Sequence, residues 1–300
     1  MSSPNTLTDT RQWAHRDVEG PLLDLDKVLR SKAPNLRLPS FVKSLLKRIL
    51  HIDQMNAFYD THKGIYDFDF ARIYLRDGLG CDAAIEGAEH IPSGEQPLLF
   101  VSNHPLGGLD GIILALLIGE KRDYRVRLIV NDILLYIRPL AGVFVPVNKV
   151  GKQSREYAQL QLELWNSDLD VLTFPAGACS RLQDVPSACP YCGSHKKIIS
   201  DLEWKHSFIR QAVKTKRDVV PIYFEGHNSQ FFYRLAYWRK KLGIKTNIEM
   251  LFLVDEMYRS KGKHFRVRVG KPIPYTVFDD SRTPSQWAQW VKEQVYSLSK

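Results

Sequence analysis

Short apolar runs recur through the last two-thirds of the chain, and between them lie stretches whose apolar positions fall three and four apart. The runs at 98–101, 126–130, 143–147, 169–174, 219–224, 248–254 and 265–269 are rich in Val, Ile, Leu and Phe and predict short buried strands. Amphipathic helices are predicted over 154–165, 202–213 and 231–242. A closing helix over 285–298 carries Trp287, Trp290, Val291 and Val295. Strands alternating with helices predict an α/β fold, a largely parallel central sheet flanked by helices.

Residues 1–80 are patterned mostly as helix. In "SFVKSLLKRILHIDQMNAFYD" the residues Phe41, Leu45, Leu46, Ile49, Leu50 and Ile52 fall at helical spacing behind Ser40, a suitable cap, with Lys43, Lys47 and Arg48 on the other side. Such a helix either covers the core or lies on a bilayer as a basic amphipathic segment. The expected organisation is therefore an N-terminal helical segment, 1–80, packed on an α/β domain, 81–300.

Composition narrows the partners. With 300 residues, 44% hydrophobic and 25% charged, the chain can bury a substantial core. A net charge of +9 suits nucleic acid, an anionic membrane surface or an acidic protein. No run approaches the roughly 18 apolar residues of a membrane span, and "MSSPNTLTDTRQW" lacks the apolar core of a secretory signal. A cytoplasmic protein, peripheral at the inner face of the cell membrane, is expected. The basic stretches at 237–243 and 259–270 are its candidate docking patches.

Three clusters of polar residues, Gly and Pro follow predicted strands: "SNHPLGGLDG", "FPAGACSR" and "EGHNS". Ligands of open α/β sheets bind beyond the carboxyl ends of strands, so all three can face one crevice. In the first cluster, a helix beginning near Leu109 leaves His104 in the preceding loop and Asp110 in the first turn. Gly107 and Gly108 let the chain fold back between them. A carboxylate on one imidazole nitrogen leaves the other to take a proton from a hydroxyl, as in a catalytic triad whose nucleophile is the substrate. Backbone N–H groups of Gly107 and Gly108 are then expected to face an oxyanion. The alternative is structural, with His104 satisfied by a carbonyl and Asp110 by the helix dipole.

"NHPLGGLD", "GVFVPVNK", "FPAGACSR" and "VVPIYFEG", in that order, resemble the four blocks of the glycerophosphate/lysophosphatidate acyltransferase family. With the upstream "LHIDQMNAFYD", they are closest to its hemolysin-like branch, which includes O-acyltransferases of ornithine- and glycine-lipid synthesis. The resemblance implies fatty acyl transfer from a thioester, on acyl carrier protein or coenzyme A, to a lysolipid hydroxyl, with no further cofactor. It makes His104 the general base and Asp110 its orienting partner. Asn103, Gly107, Gly108, Lys149, Pro175, Gly177, Ser180, Arg181 and Pro221 become substrate-binding positions, Lys149 standing where the family usually has an acceptor-contacting Arg.

Two departures from the family pattern bear on the acceptor. Five residues separate His104 from Asp110 where four are usual, and in the third block Ala176 replaces a Glu and Cys179 an Arg. That Arg would be a bidentate phosphate fork. Arg181 can replace it only in part, so an N-acylated amino acid bearing a hydroxyl fits better than glycerol 3-phosphate. "CPYCG" resembles a single zinc knuckle, and Cys179, Cys189, Cys192 and His195, with His206 nearby, form a conceivable ligand set. Free thiols in an insertion loop are the simpler expectation. A thioesterase using the same pair on water is the alternative within enzymes. A basic nucleic-acid-binding module would leave the first and third clusters unexplained, and no nucleic acid is expected.

Overall fold

The computed structural model describes residues 20–32, 38–147, 155–186, 195–244 and 247–299. Helices α1 (Leu25–Lys32), α2 (Ser40–Ile49), α3 (Ile52–Thr61) and α4 (Asp67–Ile73) come first, and a π-helical turn, Tyr74–Leu79, leads into strand β1 (Asp82–Glu86). Then follow β2 (Leu99–Ser102), α5 (Leu109–Lys121), β3 (Val126–Asn131), β4 (Phe144–Val147), α6 (Arg155–Asn166) and β5 (Asp170–Thr173). A hairpin of β6 (Arg181–Pro186) and β7 (His195–Ser200) interrupts the alternation before α7 (Ser207–Thr215), β8 (Val219–Glu225) and α8 (Gln230–Lys241). Helix α9 (Leu253–Arg259), β9 (His264–Val269) and α10 (Pro284–Ser297) complete the chain.

Seven strands form the central sheet in the order β1-β9-β8-β2-β5-β3-β4. The five from β8 to β4 are mutually parallel, while β9 runs antiparallel to β8 and carries β1 alongside it. The largely parallel α/β fold expected from the pattern is thus what the chain adopts, with a reversed edge. Leu99, Phe100 and Val101 of β2 are all inaccessible to solvent, which is why this strand reads as a continuous apolar run. Phe100 packs with Ile113 and Leu114 of α5 and with Phe68 and Phe70 of α4, whereas Leu99 and Val101 pack with Leu160, Ile209 and Val291 on the opposite face. The alternation follows from successive strand side chains pointing to opposite faces. Each face is covered by helices, and both depend on β2.

The structure corrects several expected elements. The run 248–254 is a 3-10 turn, Ile248–Phe252, entering α9. Glu249 in the turn and Glu256 in α9 are buried against partners, Arg181 and Arg239 for the first and Ser229 for the second. Strand β1 and the hairpin were not anticipated, and the helix expected from 202 starts at Ser207. The N-terminal run breaks into α2 and α3 at His51, whose left-handed backbone (φ 48°) is held by its ring stacking on Tyr258 at 4.1 Å and by Nε2 meeting Asp255 at 3.0 Å. Ser40 is the first helical residue and makes no capping bond, and α2 buries none of its side chains, leaving Phe41 and Leu45 in solvent. Among the described residues, no helix is long and apolar enough to cross a membrane.

Candidate active site

Strand β2 ends at Ser102, and the chain leaves the sheet through Asn103. The Asn103 amide donates to the Phe224 carbonyl (2.9 Å) and accepts from the Phe224 N–H (2.7 Å), so it ties the loop to β8. Next, His104 turns its ring over Phe174, centroids 3.9 Å apart and 19° from parallel. Its Nδ1 lies 3.0 Å from Oδ2 of Asp110 in the first turn of α5.

Asp110 is wholly buried and surrounded by donors. Besides the imidazole, it accepts from the N–H groups of Leu106 (2.9 Å), Gly107 (3.4 Å), Gly108 (3.1 Å) and Gly111 (2.9 Å). Burial pushes its pKa upward, but the His104 ring and the N–H groups of Leu106 and Gly107 outweigh burial and hold it below 3.8. An ionised carboxylate can only accept, so Nδ1 carries the imidazole proton and Nε2 is left with a lone pair. The His104 side chain is 15% exposed, so part of the ring reaches solvent. The N–H groups of Gly107 and Gly108, expected to face an oxyanion, are committed to Asp110 instead. Gly107 could not be another residue: its φ is +80°, and a Cβ would meet Leu253 at 2.9 Å and the Cβ of Cys179 at 3.0 Å. At Gly108 a Cβ would meet nothing within 4 Å, so the loop is open on that side.

The third cluster abuts the first. Phe174 supplies the ring platform, Gly177 (φ +68°) closes a turn by donating to the Phe174 carbonyl at 2.9 Å, and Pro175 accepts from the Lys205 N–H at 3.0 Å. The Ser180 N–H donates to the His104 carbonyl (2.8 Å), while its hydroxyl donates to Asp201 (2.6 Å). Asp201 also accepts from the His104 N–H (3.2 Å) and the Trp204 indole (2.9 Å). Burial raises the Asp201 pKa above its ordinary value. This carboxylate clamps the backbone of the histidine loop to the third cluster. It lies 97 residues from His104, with no motif around it to signal the role.

Arg181 is not available as an anion fork. Its guanidinium donates to the Cys179 carbonyl (2.9 Å) and to Glu249 (2.9 Å), and Arg239 completes a buried ion triad on the same carboxylate at 2.7 Å. Pro221 sits inside β8 opposite Val101, in the sheet below the loop. Lys149 lies outside the described residues, as do Cys189 and Cys192 of the proposed zinc set. Burial pushes the Cys179 thiol up to about 11, which leaves it protonated and a poor nucleophile at neutral pH. His206 lies 3.2 Å from the Ser285 hydroxyl, and the described residues contain no cluster suited to a metal ion.

The acyltransferase family model matches residues 27–300. The lyso-glycine lipid O-acyltransferase of Bacteroides thetaiotaomicron is 44% identical over 92% of this chain and 97% of its own length. That of Phocaeicola vulgatus is 43% identical over 92% and 95%. Among solved structures, the 1-acyl-sn-glycerophosphate (LPA) acyltransferase PlsC from Thermotoga maritima aligns over 98% of this chain and 95% of its own, at 17% identity and a TM-score of 0.41. By the family match and the two relatives, the chain belongs to the acyltransferase family and is an enzyme of the O-acyltransferase type.

Proposed function

We propose that the enzyme transfers a fatty acyl group from a thioester, on acyl carrier protein or coenzyme A, to the hydroxyl of a lyso-glycine lipid, at the inner face of the cell membrane, as a step of lipid biosynthesis. The observation that carries the mechanism is the pair His104–Asp110, 3.0 Å apart at the carboxyl end of β2, with no hydrogen-bond partner for Nε2 among the described residues. The acceptor hydroxyl gives its proton to Nε2 as its oxygen forms a bond to the thioester carbonyl carbon. The carbon–sulfur bond then breaks, and the departing sulfur takes up the proton from the imidazolium. Asp110 fixes the tautomer and stabilises the transient cation. The acceptor class is supported by the two relatives, whose names specify a lyso-glycine lipid, and by Arg181, whose guanidinium is held by Glu249 where a phosphate-bearing acceptor would need it free.

The test is thiol release from an acyl thioester with and without a lyso-glycine lipid, beside mass spectrometry of lipids from cells expressing wild type or His104→Ala. Release that depends on the acceptor, with a diacylated glycine lipid appearing only with the wild type, is expected. Equal release without acceptor would identify a thioesterase and overturn the proposal.

A further inference from the structure

Helix α8 buries one face and leaves another bare. Phe232 and Tyr233 point inward and pack with Cys179, Phe252 and Leu253. On the far side, Phe231, Trp238 and Leu242 are 49%, 55% and 72% exposed, with half-buried Leu235 between them. At about 100° per residue these four positions fall on one stripe. The adjoining 3-10 turn adds exposed Met250 and Leu251, and Phe231 meets its Phe252 edge-on at 5.1 Å. Arg234 and Lys241 border the stripe, the Lys241 ammonium 5.3 Å from the Trp238 ring, and Lys197 reaches across Tyr237 at 4.2 Å. No Asp or Glu lies within α8, and neighbouring Glu249 is buried between Arg181 and Arg239.

Bare Phe, Trp and Leu side chains on an ordered helix are costly in water, and a stripe bordered by Arg234 and Lys241, on a helix that carries no carboxylate, repels its own image across a two-fold axis. An anionic bilayer satisfies both: the stripe enters the acyl boundary, the indole and the lysine sit at headgroup level, and the cations meet lipid phosphates. We infer that the exposed face of α8 and its adjoining 3-10 turn is the surface by which this enzyme docks on anionic membranes. The placement serves the chemistry. Under α8, Cys179 and Leu253 lie against Gly107 of the histidine loop, so a docked α8 sets one helix and that side-chain layer between the loop and the lipid. The inference rests on the proposed lipid acceptor for its purpose, while its geometry stands without it.

The experiment is co-sedimentation of the full chain with phosphatidylcholine vesicles, with and without phosphatidylglycerol, in the absence of donor and acceptor, so that a failure of acyl transfer leaves this result untouched. Wild type is expected to partition onto the anionic vesicles at low salt. Phe231→Ser/Trp238→Ser/Leu242→Ser should lose on the order of 100-fold in partitioning. Arg234→Gln/Lys241→Gln, which removes no buried contact and serves if the triple variant does not fold, should lose about fivefold per charge. The proposal is overturned if both variants partition like wild type. Loss of binding only in Phe41→Ser/Leu45→Ser would overturn it too, by moving the docking site to α2. So would a wild type that dimerises through this stripe and ignores vesicles.

Discussion

Two aspartates, both without solvent exposure, sit at opposite ends of the same group of strands. Asp110 stands beyond the carboxyl end of β2, Asp170 at the amino end of β5. Both are packed with donors. Asp170 accepts from the Leu98 N–H (2.8 Å) and from Nε and a terminal nitrogen of Arg122 (2.8 and 3.2 Å), and Arg122 spends its remaining donors on the carbonyls of Pro92, Gly94 and Gln96. Asp110 accepts from four backbone N–H groups and an imidazole. The difference lies in the partner. A guanidinium keeps its charge at any pH the protein meets and here has no free edge, so the lower pair can only hold the sheet together. An imidazole can be neutral and has a second nitrogen, so the upper pair, satisfied to the same degree, can move a proton.

Substitutions can break this contrast at either end. The largest effect is expected at His104→Ala, which should lower turnover by roughly 10⁴-fold with little change in thermal unfolding. Rates of thiol release paired with circular dichroism melts would separate the two effects. Arg122→Met should do the reverse. Stranding the Asp170 carboxylate is expected to cost about 3–5 kcal/mol of stability in urea unfolding, with turnover per folded molecule close to wild type. Asp201→Asn should fall between them, losing on the order of 10-fold to 100-fold in kcat with a smaller change in KM, because the histidine loop loses a clamp and not its base. Recovery of turnover in Asp201→Glu would argue against a positioning role that depends on the carboxylate's exact reach.

Acid sharpens the contrast further. Because the folded pKa of Asp110 lies below its unfolded value, its carboxylate contributes stability that is fully present above that unfolded value and is lost as pH falls through the folded one. Melting temperatures of wild type and Asp110→Asn should therefore differ by a constant amount near neutrality and begin to converge only as pH falls below about 4. The smallest effect is expected at Cys179→Ser, within about threefold of wild-type turnover, since a thiol titrating near 11 is protonated throughout the working range.

How much of this could be read from residues alone depended on sequence distance and on burial. Strands β2, β4, β5 and β8 carry buried apolar runs, and β3 a run broken only by Arg127, and these runs mark them in the sequence. Strand β1, "DAAIE", is an edge strand of alternating exposure, held to β9 partly by Glu86 against Arg266 and Arg268, and offered no such run. The 248–254 segment reads as a strand from its apolar residues, although Glu249 within it is a buried carboxylate that needs partners. His104 and Asp110 are six residues apart, so a local pattern exposed them, whereas Asp201 and Glu249 act on residues 97 and 68 positions away and left no local trace. Phe174 was visible as a strand end, but its service as a platform for the imidazole depends on how two loops meet.

The loop between Pro105 and α5 also has a consequence for motion. Most of its amides converge on a single buried carboxylate, so they should resist hydrogen–deuterium exchange as strand amides do, despite belonging to no regular element. The proposed base, mounted this stiffly, has no closing motion of its own to wait for.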